Sequence, residues 1–165
     1  MSIGRFYAGI AALIRSPDTA RYLLLHRSEH KDFGAGVWEC VTGRVEQGEG
    51  FDEALQREVR EELGVQVQVE HILGTTHFYR GPSTPDNELV GVVYLCSLQD
   101  SASIHISPEH SEYRWLKAPE ALRLLSASDP STAWARRVIE RAEIIRSMLS
   151  EELISFQHHH GFELV

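Results

Sequence analysis

Glu58, Glu61 and Glu62 stand at i, i+3 and i+4. At about 100° per residue, that spacing gathers all three carboxylates on one side of an α-helix. Ala54 falls on the same side. Phe51, Leu55, Val59 and Leu63, each four apart, make an adjacent apolar stripe that has to be buried against a core. Gly64 follows, where a helix C-cap is expected. Gly48 and Gly50 flank Glu49 just ahead of the helix, so a tight loop delivers a fourth acid to its start.

Carboxylates crowded on one helix face repel one another, and each like-charged i, i+4 pair costs roughly a few tenths of a kcal/mol. A surface helix usually relieves this with a lysine four residues away. Here the nearest bases are Arg57 and Arg60, and helical spacing turns both away from the centre of the acidic face. A hard divalent cation with a preference for oxygen ligands would remove the repulsion. On spacing alone, a solvated acidic face is the competing reading.

The stretch Gly43 to Val65 resembles the Nudix box, G-x5-E-x7-R-E-U-x-E-E-x-G-U, where U is a bulky aliphatic residue. Gly43, Glu49, Arg57, Glu58, Val59, Glu61, Glu62, Gly64 and Val65 fill every fixed place without a gap. Weaker similarity to Nudix hydrolases extends over roughly residues 4 to 145. The resemblance implies an α/β fold, the Nudix-type α/β/α sandwich with a mixed sheet. It also implies a Mg²⁺- or Mn²⁺-dependent hydrolase of a phosphoanhydride in a nucleoside diphosphate linked to another moiety. Hydrolysis of such a bond needs a positioned water, neutralised phosphate oxygens and a base. By the resemblance Glu58, Glu61 and Glu62 are metal ligands and catalytic residues, and Glu49 is a further ligand or a supporting group. Arg57, set among these acids, is expected to orient carboxylates by two-pronged pairing.

Family enzymes often recruit one more acid from outside the box. The candidates are Glu88 at a strand entry and Glu109 and Glu112 in the segment PEHSEYRWL, with Glu112 as base and Glu109 as extra ligand preferred. Many relatives carry Pro-Gly-Gly where this chain has Val41-Thr42-Gly43. The same departure occurs in a subset that includes bacterial dihydroneopterin triphosphate and dATP pyrophosphohydrolases. The segments VTGRVEQGE and EHSEYRWLKAPEAL and the Trp134-containing final helix resemble that subset. The implied reaction takes a nucleoside or pterin triphosphate to monophosphate and pyrophosphate. Alternatives are hydrolysis of oxidised dGTP, of dinucleoside polyphosphates or of ADP-ribose, and a non-catalytic nucleotide sensor on the same fold. Tyr79 and Pro82, downstream of the box, point to different substrate classes. Phe33, Trp38, Phe78 and Tyr79 are candidate stacking partners for a base, with burial in the core as the alternative.

With 165 residues, 42% hydrophobic and 24% charged, the chain suits one soluble globular domain. Residues 1–150 read as the Nudix hydrolase domain and 151–165 as a C-terminal tail of unassigned structure. A net charge of −8 argues against a nucleic-acid polymer as partner, because a phosphate backbone is bound through basic patches. It leaves room for a small nucleoside di- or triphosphate derivative, which enters with its own cation. No apolar run reaches the length of a membrane span, and the start lacks the basic and apolar parts of a signal peptide, so no membrane partner is expected and the compartment is expected to be cytoplasmic. Cys40 and Cys96 lie in apolar runs and read as buried, reduced thiols. The oligomeric state is not legible.

In chain order, Arg5–Arg15 and Tyr22–His26 read as strands joined as a hairpin, and Arg27–Gly36 as a loop. Val37–Thr42 reads as one short strand leading into the box. Beyond the box, Val65–Val69 alternates as a half-buried strand, Thr75–Tyr79 is extended, and Arg80–Asn87 is a surface loop. Glu88–Leu98, Ile104–Ser107 and Glu112–Leu116 read as strands. Ala118–Leu125 reads as a short helix and Thr132–Leu149 as a longer one with Trp134, Val138, Ile139, Ala142, Ile145 and Leu149 on roughly one side.

Overall fold

A computed structural model describes residues 4–30, 34–98 and 104–164. In chain order the elements are β1 (Tyr7–Arg15), β2 (Tyr22–Arg27), β3 (Trp38–Glu39), β4 (Val41–Arg44), α1 (Phe51–Leu63), β5 (Val67–Tyr79), β6 (Glu88–Leu98), β7 (His110–Leu116), α2 (Ala118–Leu124), α3 (Pro130–Arg146) and α4 (Glu151–His160). The strands form one mixed sheet. β1 runs parallel to β6 from Tyr7↔Leu89 to Arg15↔Ser97, and β6 runs antiparallel to β5.

β1 is apolar along its length because both of its faces are covered. Ile10, Ala12 and Ile14 point to one side and pack with Leu55, Val59 and Leu63 of α1. Ala11 and Leu13 point to the other side and pack with Ala121, Val138, Ile139 and Ala142 of α2 and α3. The period of two along a strand thus sorts one apolar run between two cores. The result is the three-layer α/β/α sandwich expected from the sequence. Leu55, Val59 and Leu63 are fully buried, and each contributes about 1.5–3 kcal/mol relative to an exposed side chain. No helix among the described residues is long and apolar enough to cross a membrane. Cys40 and Cys96 are free and buried.

Five local expectations are corrected. The β1–β2 hairpin closes at one pair only, Arg15↔Tyr22. Beyond that pair β1 takes β4 as its antiparallel neighbour, and β2 takes β7 and β3. Val37–Thr42 is therefore two short strands, not one: Trp38 and Glu39 pair with β2, then the chain passes through buried Cys40 and Val41 joins β1. Periodicity cannot detect such a change of partner. Val67–Val69 and Thr75–Tyr79 belong to one long strand, β5, which starts two residues later than Val65 and whose register shifts twice, between Val69 and His71 and between Ile72 and Gly74. Those irregularities blur the alternation. Ile104–Ser107 is not a strand. His105 N–H donates to the Leu63 carbonyl (3.0 Å) and Ser107 N–H to the Glu62 carbonyl (2.9 Å), so the segment satisfies the open C-terminal carbonyls of α1 in place of a sheet edge. The tail contains a helix, α4, started by Ser150, whose hydroxyl accepts from Leu153 N–H at 3.2 Å.

Candidate active site

α1 starts at Gly50 and ends at Gly64, which adopts the left-handed conformation (φ 69°, ψ 15°) and donates to the Arg60 carbonyl at 2.9 Å. A side chain at that φ is strained, which accounts for glycine there. The apolar stripe turns α1 onto the sheet. Glu58 and Glu62 are thereby carried inward and Glu61 stays outward: the Glu58 side chain is 15% exposed, Glu61 60%, and Glu62 as a whole residue 7%.

Arg57 is the organising cation. Its Nε donates to Glu49 Oε1 (2.8 Å) and its Nη2 to Glu49 Oε2 (2.9 Å), a two-pronged pair. Nη1 donates to Glu58 Oε1 at 2.9 Å and lies 3.5 Å from Glu61 Oε2. Nη2 also reaches the Arg44 carbonyl at 2.8 Å, which ties the helix to β4. The Arg57 fork, helped by the Glu46 N–H, holds the Glu49 carboxyl down at about 2. The Glu49 and Glu58 carboxylates in turn raise Arg57. Glu58 Oε1 accepts a further bond from Arg44 N–H (3.2 Å) and rests against Gly43, where any Cβ would collide with the carboxylate. Burial pushes Glu58 upward despite its partners.

Glu62 has a different environment. Burial, and then the negative charges of Glu39, Glu58 and Glu109, push its carboxyl up to about 9. Its Oε2 is buried without a hydrogen-bond partner. An unmet buried acceptor of this kind costs about 1–3 kcal/mol, and its retention calls for a ligand that the protein does not itself provide. A divalent cation matches the donor set, which consists of carboxylate oxygens only. Among the described residues no three His, Cys, Asp or Glu side chains already converge on one point. The geometry explains this: Arg57 engages Glu49 and Glu58, and Glu61 faces outward.

The acids outside the box separate clearly. The negative charge of Glu109 reaches Glu62 and helps to raise it, because the Glu109 loop is pinned from two sides. Ser107 N–H bonds the Glu62 carbonyl, and Ser28 N–H bonds the Glu109 carbonyl at 2.9 Å. Glu112 lies on β7 with its carboxylate on Arg114 at 2.7 Å and is 46% exposed. Glu88 bonds His77 at 2.9 Å. Sequence reasoning passed over Glu39. It stands on β3, accepts from Arg27 Nη1 (2.8 Å), and lies 3.2 Å from His110 Nε2, a fully enclosed ring. The only signal in the sequence was an acid flanked by apolar residues in VWECVT. Arg80, at the end of β5, is lowered by burial and by the nearby positive charges of Arg44 and Arg27. Arg80 thus lies within electrostatic reach of Arg27, Arg44, Glu39 and Glu109.

Of the candidate stacking residues, Trp38 lies under the Arg114 guanidinium (4.7 Å) and against His26 (4.9 Å). Tyr79 meets His77 edge-on at 5.5 Å. Phe78 is half-buried, and Phe33 lies outside the described residues.

The NUDIX domain model matches residues 5–142. Dihydroneopterin triphosphate diphosphatase of Escherichia coli (strain K12) is 30% identical over 147 residues, covering 81% of this chain and 93% of the relative. Nucleoside triphosphatase NudI of Salmonella schwarzengrund (strain CVM19633) is 33% identical over 110 residues, covering 62% of this chain and 77% of the relative. Among solved structures, the MutT protein from Methanosarcina mazei Go1 superposes with a TM-score of 0.70 at 27% identity, covering 88% of this chain and 99% of that one. The unbroken box, its helix and the shared sandwich agree with these matches, and the chain belongs to the Nudix hydrolase family.

Proposed function

We propose that this protein is a divalent-metal-dependent pyrophosphohydrolase that converts a nucleoside or pterin triphosphate to its monophosphate and pyrophosphate. The observation that carries the reading is Glu62: a carboxyl with an unpartnered oxygen, raised first by burial and then by the negative charges of Glu39, Glu58 and Glu109. That arrangement is costly in a resting protein and becomes favourable once a cation and a polyphosphate enter. The substrate class is supported by two relatives whose names state it, a dihydroneopterin triphosphate diphosphatase and a nucleoside triphosphatase.

Glu58, Glu61 and Glu62 would hold Mg²⁺ or Mn²⁺, with Glu49 and Glu109 as further oxygen donors. When bound, the ion supplies charge neutralisation at the phosphate oxygens and at the leaving pyrophosphate. The chain's own residues do the rest. Arg57 fixes Glu49 and Glu58 relative to each other through its fork. Arg44, Arg27 and Arg80 supply positive potential toward a polyanionic substrate. Glu39, whose negative charge acts on Glu62, is the acid offered to take a proton from the attacking water, with Glu109 kept as an oxygen donor. Glu112, held by Arg114 on the exposed face of β7, is the weaker candidate for that step.

The test is hydrolysis of a panel of nucleoside and pterin triphosphates in ¹⁸O-labelled water with Mg²⁺ present. Label confined to the monophosphate means attack at the α-phosphorus and supports the reading. Orthophosphate as the first product, or undiminished activity in excess EDTA, removes it.

A further inference from the structure

We infer that the segment following α4 is a working part of this active site, with Glu163 as a positioning residue for the box helix. The inference rests on the hydrolase reading above. α1 begins at Gly50, which has no side chain to cap the open N–H groups of the first turn. Glu163, 112 residues from Phe51, supplies the cap. Its Oε1 accepts from Phe51 N–H at 2.7 Å and its Oε2 lies 3.5 Å from Asp52 N. The carboxylate also sits at the positive end of the helix dipole.

The contact is anchored. Asp52 lies close enough to Glu163 for that carboxylate, after burial, to raise it. Phe162 packs into the core that holds Leu55 and Val59, with its ring edge-on to Tyr94 at 6.2 Å and to His71 at 6.4 Å. α4 is held on β5 by Gln157, whose amide nitrogen lies 3.0 Å from His71 Nδ1. Gly161 ends α4 with φ 68° and turns the chain toward α1. Gly50 leaves the room that Glu163 fills: a Cβ there would collide with Oε2 and stand 2.9 Å from Cδ.

The junction held in this way bears directly on the chemistry. Glu49 immediately precedes Gly50 and is the two-pronged partner of Arg57, which in turn positions Glu58. Fixing the first turn of α1 fixes the distance from the Glu49 loop to Arg57. Loosening it lets Glu49 and Glu58 drift relative to Glu62. The tail therefore acts on the ligand geometry through the helix, without touching substrate.

The test compares Glu163→Ala, Gly50→Ala and the double variant with the unaltered chain. Steady-state hydrolysis of a nucleoside triphosphate is measured beside Mn²⁺ binding without substrate, by electron paramagnetic resonance, and beside amide exchange at Phe51 and Asp52. Losing a cap of this kind is expected to lower kcat roughly three- to ten-fold with KM within about two-fold. Mn²⁺ affinity should fall by a similar factor, and the two amides should exchange faster. Gly50→Ala, which evicts Glu163 sterically, should reproduce this pattern and add little in the Glu163→Ala background. Wild-type kcat and Mn²⁺ affinity in Glu163→Ala would overturn the inference. So would an equal effect of Gly50→Ala in both backgrounds, or a loss of kcat that merely follows the folded fraction. If the unaltered protein hydrolyses no triphosphate, the hydrolase reading fails, while Mn²⁺ binding and amide exchange still decide the role of Glu163.

Discussion

Gly43 is the floor on which the Glu58 carboxylate rests: a Cβ at position 43 would occupy the space of Glu58 Cγ and Cδ. Gly43 lies on β4, opposite Ile10 of β1, so the sheet backbone itself sets how deeply Glu58 can lie. The atoms that would have to yield belong to a flexible side chain, not to backbone. Gly43→Ala should still fold, but at a cost of about 1–3 kcal/mol, because Cγ as well as the carboxylate must move. It should displace Glu58 and lower kcat/KM by roughly a hundred-fold. Circular dichroism melts beside steady-state kinetics separate the two effects.

Arg57 serves Glu49 with two nitrogens and Glu58 with a third. A lysine keeps the charge but cannot form that fork. Arg57→Lys should lower kcat by about ten- to a hundred-fold. It should also let the Glu49 carboxyl, now at about 2, move up toward its ordinary 4.5. NMR titration of the Glu49 carboxyl carbon reads the second effect directly. A Glu49 pKa unchanged by the substitution would show that the fork does not hold it.

Glu62 predicts a pH dependence of stability in the metal-free protein. Its folded-state pKa of about 9 lies above the ordinary 4.5, so the folded protein keeps this proton after the unfolded chain has lost it. Stability from this group is fully present below pH 4.5 and is lost as pH rises toward 9. Denaturant unfolding across that window, in EDTA, should show the decline. Glu62→Gln, which cannot ionise, should flatten it and should nearly abolish turnover.

Glu39 and Glu112 divide the remaining question of the base. Glu39 is 15% exposed and its negative charge acts on Glu62, whereas Glu112 is half-exposed on Arg114. Glu39→Gln should lower kcat by about ten-fold or more, a usual scale for losing a proton acceptor. Glu112→Gln should stay within about two-fold of the unaltered protein. The reverse ranking in kcat at saturating triphosphate would restore Glu112.

The helix that carries Glu58, Glu61 and Glu62 was legible in the sequence because its information is local. Four apolar residues four apart, three acids on the neighbouring face and Gly64 at the end need only the helical period to be understood. The continuous apolar runs of β1 and β6 were legible for a similar reason, since strands covered on both faces need no polar alternation. The placement of three acids had to await the tertiary structure, although Glu109 was already a candidate ligand on the family resemblance. Glu39 reaches the site because Trp38–Glu39 pairs with β2 while Val41–Arg44 pairs with β1. Glu109 reaches it because the open carbonyl of Glu62 captures Ser107. Glu163 reaches the first turn of α1 from 112 residues away. In each case the partner is chosen by unsatisfied backbone groups and by the space left between packed layers. Those are properties of the assembled sheet and helices, and no window of sequence contains both ends of the contact.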